Sequence, residues 1–192
     1  MYKRQITTRT GDNGETGLLF SRRTSKGDPR IAACGDVDEL NAAIGLARAH
    51  IQVTKENSRL ETIQKSLISL MGELATLPED SEQYATSKFD KLTKDDTLQL
   101  DSWIAEHEAN GLAFKGWALP GSTVASANLD MARTICRRAE RALVSLSKQE
   151  NINPYSLQIL NRLSDLLFVC ARHVAQTEGI EEVLWEQEGT KS

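Results

Sequence analysis

The sequence predicts an all-α protein, a bundle of five mostly antiparallel helices behind an irregular N-terminal segment. Three observations carry that prediction. Apolar residues recur at three-and-four spacing through most of the chain after Asp36. Residues 1–35 are rich in Gly, Thr, Ser and Arg and hold no sustained period. Aromatic residues make up 5% of the chain, too few for a sheet-rich sandwich.

Each element follows in order. Ile6 to Thr8 reads as briefly extended. From Asp36, the residues Val37, Leu40, Ile44, Ala47 and Ile51 mark one face of a first helix. Leu60, Ile63, Leu67, Leu70, Leu74 and Leu77 mark a second. Its seven-residue spacing also fits a coiled coil, but fewer than three heptads favour packing within a bundle. Pro78 ends that helix, and the polar run from Glu79 to Lys91 reads as a mobile surface loop. A shorter helix spans Lys94 to His107, after which Gly111 to Gly116 leads into Trp117-Ala118-Leu119-Pro120-Gly121. Ala132, Ile135 or Cys136, Ala139, Leu143 and Leu146 mark a fourth helix. Leu160, Leu163, Leu167, Cys170 and Val174 mark the last, entered through a cap and first-turn proline at Asn153-Pro154. Connections of short to medium length place successive helices antiparallel. The division expected is one domain over 1–192, with a binding segment at 1–35, the bundle at 36–178 and a tail at 179–192.

Composition narrows the function classes. A chain of 192 residues, 40% hydrophobic with net charge −4, is a soluble globular domain with one core. No run approaches the ~18 apolar residues of a membrane span, and the N-terminus lacks the apolar centre of a signal peptide, so a cytoplasmic protein with no membrane partner is expected. The acidic balance argues against nucleic acid. Cys34, Cys136 and Cys170 form no CxxC pair, and the last two fall on apolar stripes, which reads as reduced, buried thiols. His107 and His173 have no evident partners, and His50 closes the first helix where a cation suits the dipole.

Two segments carry chemistry. Thr8-Arg9-Thr10-Gly11-Asp12-Asn13-Gly14-Glu15-Thr16 suits phosphates: glycines let successive N–H groups converge on an anion, Arg9 adds a fixed positive fork, and Asp12 can meet magnesium riding on the phosphates. It is not a Walker A loop, because no Gly-Lys-Ser/Thr closes it. Taken alone, the same composition also describes a surface turn. In the fourth helix Arg133, Arg137 and Arg141 stand four residues apart on one face, with Glu140 at its flank and Arg138 about 100° away. Like charges so spaced call for an anion. Carboxylates of neighbouring helices, Asp38 or Asp165, are one candidate, and a polyphosphate held by guanidinium forks is the other. Asp38, Asn41 and Arg48 on the first helix, and Asn161, Asp165, Phe168 and Arg172 on the last, form polar faces that suggest a pocket or a subunit contact.

As a set these segments resemble the PduO-type ATP:cob(I)alamin adenosyltransferases. The resemblance runs through Thr8 to Gly17, Lys26 with Asp28 and Arg30, Gly35-Asp36-Val37-Asp38-Glu39-Leu40-Asn41, and Leu119-Pro120-Gly121. It continues through Ala132 to Arg141 and Asn161-Arg162-Leu163-Ser164-Asp165. It implies a trimer with active sites between subunits, making adenosylcobalamin from ATP and cob(I)alamin. Thr8, Arg9, Thr10, Gly11, Asp12, Gly14, Thr16, Gly17 and Lys26 would bind ATP with Arg137, Arg138, Glu140, Arg141 and Asn161. Asp38 and Arg133 match a salt bridge that crosses the interface and positions the corrin, and Arg133, Asp38 and Arg137 would be the catalytic set. Trp117 and Phe168 match aromatics that displace the lower axial ligand of cobalt. Trp117 stands where the family pattern has phenylalanine, and Ser122 replaces a glycine. The resemblance further implies magnesium with ATP, a cobalamin reductase, and an adenosylcobalamin-dependent enzyme as partners. A protein that delivers ATP and corrinoid without turnover is the alternative.

Overall fold

The computed structural model describes residues 7, 9–109, 117–180 and 184–185. Among them lie six helices: α1 (Pro29–Arg48), α2 (Thr54–Leu74), the short α3 (Ser81–Ala85), α4 (Lys94–Ala109), α5 (Val124–Ser147) and α6 (Pro154–Thr177). Two small antiparallel pairs accompany them, β1 (Glu15–Gly17) with β2 (Arg23–Ser25) and β3 (Trp117–Ala118) with β4 (Leu184–Trp185). The expected five long helices are present, with α3 added.

Helix α1 packs on α2 and α5, and α6 packs on α5 and α4. Their directions follow from which residues meet. Arg30, at the start of α1, reaches the carbonyls of Leu74 and Thr76 at the end of α2, and Glu150 just beyond α5. Helix α1 is therefore antiparallel to both. The Cys136 thiol donates to the Leu160 carbonyl and Arg172 to Asp130, so α5 and α6 are antiparallel as well. Asp101 meets Arg162 and His107 meets Cys170, which makes α4 parallel to α6.

The leucine stripes converge on one core. Leu40, Ile44, Leu60, Leu143, Leu160, Leu163 and Leu167 are all 0% exposed, and each such side chain contributes about 1.5–3 kcal/mol by leaving water. Cys136 and Cys170 lie in this core as free thiols, while Cys34 is half-buried.

Three boundaries differ from the sequence reading. Helix α1 starts at Pro29 rather than Asp36: Asp28 accepts the Arg30 N–H at 2.8 Å and the proline fills the first position. Its first turns bury an arginine and an alanine, Arg30 and Ala33, so no leucine period announces them. Helix α2 starts at Thr54, where Glu56 and Arg59 occupy buried positions, and it stops at Leu74, short of Leu77. The run from Glu79 to Lys91 is not a free loop. It holds a 3-10 turn at Pro78–Asp80 and then α3, whose Tyr84 is buried, stacks on Phe89 at 5.8 Å and donates to the Asp90 carbonyl at 3.2 Å.

The N-terminal hairpin is fastened to this corner. The Leu19 N–H donates to the Ala75 carbonyl at 2.8 Å, and Arg22 forks onto Asp80 with two bonds of 2.7 Å. Phe20 and Ser21 take left-handed backbone angles to make the turn between β1 and β2.

Because Arg30 alone supplies donors to two buried carbonyls and to Glu150, Arg30→Met is expected to cost about 3 kcal/mol. Urea unfolding at fixed protein concentration measures it, with a loss below 1 kcal/mol contradicting the clamp.

Candidate active site

The β1–β2 ladder pairs Thr16 with Thr24 and so presents the preceding loop. Within that loop the Gly14 N–H donates to the Gly11 carbonyl at 3.2 Å, and the Lys26 N–H donates to the Gly14 carbonyl at 2.8 Å. Gly14 has φ +81°, a conformation that suits glycine. A Cβ at Gly11 would lie 3.1 Å from both the Lys26 ammonium and the Glu15 carbonyl, a tight contact that only a small shift of the loop would relieve. The Lys26 ammonium therefore rests over Gly11. Arg23 braces the loop by donating to the Thr10 carbonyl at 2.7 Å and to Glu15 at 3.1 Å. Arg9, Thr10, Asp12, Gly14 and Gly17 are exposed, Gly11 and Thr16 are half-buried, and Thr8 lies outside the described residues.

Nearby, Lys26, Asp28 and Arg30 divide into different tasks. Lys26 faces the loop. Asp28 caps α1 and accepts the Thr24 hydroxyl at 2.7 Å, while Arg30 is the buried clamp.

On α5, Arg133 donates to Asp130 at 3.2 Å. Arg137 and Arg141 are exposed and form no ion pair among the described residues. Neither Asp38 nor Asp165 forms an ion pair with them. Arg138 turns away to α1, where it pairs with Asp36 at 3.0 Å and with Glu39; hydrogen bonds to Glu39 and Asp36 raise its pKa. It acts here as a strut between α1 and α5, whereas the sequence reading placed it with the nucleotide. Glu140 accepts from the Asn161 amide at 3.2 Å, which brings together two residues predicted for one site. Asp165 has its pKa raised by burial, against the charges of Arg162 and Arg137, so it lies within the field of Arg137.

Arginine pairing sorts these side chains. Arg22, Arg23, Arg30, Arg48, Arg59, Arg133, Arg138, Arg162 and Arg172 each hold a carboxylate. Arg9, Arg137 and Arg141 hold none among the described residues. All three were predicted to meet ATP.

Asp38 is exposed and unpaired among the described residues, so no Asp38–Arg133 bridge forms within one chain. Asp130 takes Arg133 instead, and also Arg172, which is 2% exposed. The Arg172 guanidinium carbon lies 5.1 Å from the centre of the Phe168 ring. Trp117, on β3, is 77% exposed, and Leu119, Val124 and Met131 near it in sequence are also exposed. Gly111 to Gly116 lies outside the described residues.

The two polar faces expected on α1 and α6 are narrower than predicted. Arg48 reaches α2 and binds Asn57, Gln64 and Glu61 at 3.1, 2.5 and 2.9 Å. Gln64 also donates to the Asn41 carbonyl at 2.9 Å. Long guanidinium stems thus bridge to neighbouring helices, and Arg48 and Arg172 belong to the packing.

His107 has partners that the sequence reading did not see. Its Nε2 lies 3.4 Å from Glu56 Oε2 and 3.7 Å from Cys170 Sγ, and its ring centre lies 5.0 Å from that of His173. Cys170 is 63 residues from His107 and 114 from Glu56, so no local spacing signals the group.

The sequence profile of the family described as Cobalamin adenosyltransferase matches residues 6–174. A cobalamin adenosyltransferase of Cupriavidus metallidurans is 42% identical over 96% of this chain and 95% of its own. A corrinoid adenosyltransferase of Bacillus subtilis is 38% identical over 95% and 93%. Among solved structures, a variant PduO-type ATP:corrinoid adenosyltransferase from Lactobacillus reuteri, complexed with cobalamin and ATP, superposes with a TM-score of 0.87 at 35% identity. That match covers 95% of this chain and 100% of the other.

Asp130→Ala removes the carboxylate that faces the buried Arg172 and is expected to destabilise the fold by about 3–5 kcal/mol. Chemical denaturation tests this, and a loss within 0.5 kcal/mol would show that Asp130 is not needed to hold Arg172.

Proposed function

This chain belongs to the cobalamin adenosyltransferase family, and on that ground we propose that it transfers the 5′-deoxyadenosyl group of ATP to the cobalt of cob(I)alamin. The observation that carries the reading is the arginine set without ion pairs among the described residues, Arg9, Arg137 and Arg141, together with a glycine loop covered by the Lys26 ammonium. An acidic protein that pairs its other described arginines and leaves these open has a site built for an anion of high charge.

In the proposed reaction Co(I) attacks C5′ of ATP. A cobalt–carbon bond forms, the C5′–O bond breaks, and tripolyphosphate leaves with the electron pair. The corrinoid supplies the nucleophile, so the protein needs no acid, base or covalent nucleophile of its own. Its task is to align cobalt with C5′ and to stabilise charge growing on the leaving phosphates. Thr8, Thr10, Gly11, Gly14, Thr16 and Gly17 would offer backbone and hydroxyl contacts, and Arg9, Lys26, Arg137 and Arg141 positive charge. Glu140 and Asn161, already hydrogen-bonded, would meet the nucleoside. Arg138 would act at one remove, by fixing α5 against α1.

Magnesium fits this site through Asp12, an exposed carboxylate without an ion pair among the described residues, since the ion is commonly held by one carboxylate plus substrate phosphates. When bound it neutralises phosphate charge.

The trimer expected from the resemblance would place Asp38 of one subunit against Arg133 of the next. Two observations support it: Asp38 forms no ion pair among the described residues, and Val124 and Met131 on α5 are 63% and 60% exposed. Trp117 and Phe168 would displace the lower axial ligand of the corrin and favour four-coordinate Co(II). A tryptophan at 117 is larger than the family's phenylalanine and brings an N–H that requires a partner. No helix among the described residues is long and apolar enough to cross a membrane. Cytoplasmic action alongside a reductase and an enzyme that uses the product is part of the proposal.

The test is anaerobic: purified protein, chemically reduced cobalamin and Mg-ATP, followed by loss of the Co(I) spectrum. Appearance of a light-sensitive alkylcobalamin is expected. Binding of both substrates without product would instead indicate a delivery protein. Arg137→Ala should lower kcat/KM by about 100-fold, as loss of one transition-state contact to developing charge does. Near-normal catalysis and ATP affinity together would remove Arg137 from the role. Trp117→Ala should slow turnover starting from Co(II) far more than it weakens ATP binding; unchanged turnover from Co(II) would contradict the aromatic's part in reduction.

A further inference from the structure

At one end of the bundle, away from the arginine stripe in sequence, three potential ligand atoms converge from three helices. Glu56 lies in the first turn of α2, His107 in the last turn of α4 and Cys170 in the second half of α6. They are 1%, 2% and 1% exposed. We propose that Glu56, His107 and Cys170 bind a divalent zinc ion that ties α2, α4 and α6 together.

The Cys170 thiol is within hydrogen-bond distance of Glu56, and the three separations also suit a common centre. Glu56 Oε2 stands 3.4 Å from His107 Nε2 and 3.3 Å from Cys170 Sγ, and Nε2 stands 3.7 Å from Sγ. An N–H donating to a carboxylate normally sits at about 2.7–3.2 Å, closer than this imidazole comes. Tetrahedral zinc, with bonds of about 2.0–2.3 Å to oxygen, nitrogen and sulfur, sets neighbouring ligand atoms about 3.3–3.7 Å apart. The three observed separations fall in that range.

The surroundings fit the charge. Zinc with one thiolate, one carboxylate and a neutral imidazole is neutral, as a buried site requires. Arg59 stands 3.1 Å from the other oxygen of Glu56, Oε1, and 3.4 Å from His107 Nε2, and it also pairs with Glu106. Its cation is thereby balanced outside the ligand set, and it orients the carboxylate so that Oε2 faces inward, the support that metal-binding carboxylates commonly have. His107 Nδ1 has no hydrogen-bond partner among the described residues, and Nε2 is contacted by Arg59 at 3.4 Å, a partner that zinc would replace at that nitrogen. The mixed Cys/His/Glu set selects zinc over magnesium or calcium, which prefer oxygen alone. The described residues supply three ligands, all buried.

On α6, Cys170 is two residues from Phe168 and from Arg172 and so points about 160° away from both. Zinc would thus anchor the opposite side of the helix that carries the aromatic of the proposed corrin site. The inference stands without that site, because its readout is metal binding.

The experiment uses the full-length protein, stripped of metal with a chelator and titrated with cobalt(II), which reports thiolate ligation by a charge-transfer band and tetrahedral geometry by intense visible bands. One equivalent per chain is expected to bind, and zinc to displace it with loss of the spectrum. Cys136→Ser should keep the bands, and Cys170→Ser should lose the thiolate band. His107→Asn should weaken binding at least 10-fold, as loss of a ligand does. No thiolate band in the folded wild-type protein, or a band that survives Cys170→Ser, overturns the proposal and leaves the group as a metal-free hydrogen-bonded cluster. Should Cys170→Ser fail to fold, the wild-type titration still decides, since it must show both the thiolate band and displacement by zinc.

Discussion

The architecture depends on the clamp that Arg30 makes at the meeting point of α1, α2 and α5. One guanidinium reaches the last carbonyls of α2 and the carboxylate just past α5, while its own backbone N–H is held by the Asp28 cap. Buried carbonyls beyond a helix end need donors from elsewhere, and a single planar fork can serve several at once. The same corner carries the Leu19–Ala75 and Arg22–Asp80 bonds, which seat the β1–β2 hairpin. The position of the glycine loop is therefore inherited from the bundle. Through the Lys26–Gly14 bond and the Lys26 ammonium over Gly11, the loop is connected to the start of α1 within a few residues of Arg30.

Electrostatics then separates structure from site. The sequence reading placed Arg138 with the nucleotide and Arg48 on a polar face, yet both are committed to carboxylates of a neighbouring helix, as is Arg59. Such pairs contribute little energy at the surface, but their fixed geometry sets helix register. Arg137 and Arg141 follow the opposite rule. They repel one another at four-residue spacing and form no ion pair among the described residues, a cost that a bound polyanion would offset. Asp36 and Glu39 on α1 draw Arg138 out of competition and leave the stripe with a single direction of charge.

The helices were legible because leucine periodicity reports burial, and Leu40, Leu67, Leu143 and Leu163 all proved to be core. Boundaries were missed where polar residues do the packing. The first turns of α1 bury Arg30, α2 begins with buried Glu56 and Arg59, and Asp80 and Tyr84 organise a segment whose composition resembles a loop. The candidate site was legible at its glycine loop and arginine stripe, because those chemistries are local in sequence. The Lys26–Gly11 approach, the diversion of Arg138 and the Glu56–His107–Cys170 group depend on pairs distant in sequence or on side-chain reach, which no period encodes.

A reaction whose nucleophile belongs to the cofactor shifts the demand on the protein from reactive groups to rigidity. Asp130 illustrates how this chain meets that demand. One buried carboxylate accepts from Arg133 on its own helix and from Arg172 on α6, and Arg172 in turn lies against the Phe168 ring. The arginine proposed to face the next subunit and the aromatic proposed to face the corrin thus share a single anchor. Neither can shift without disturbing a buried charge pair, and the low-dielectric surroundings make that disturbance expensive. Phe168 is held by the guanidinium on its face as well as by packing, and it sits on the helix whose far side carries Cys170. Alignment of cobalt with C5′ would then rest on the stiffness of α5 and α6 as a unit, with the exposed Trp117 as the part left to be fixed by substrate or by a neighbouring subunit.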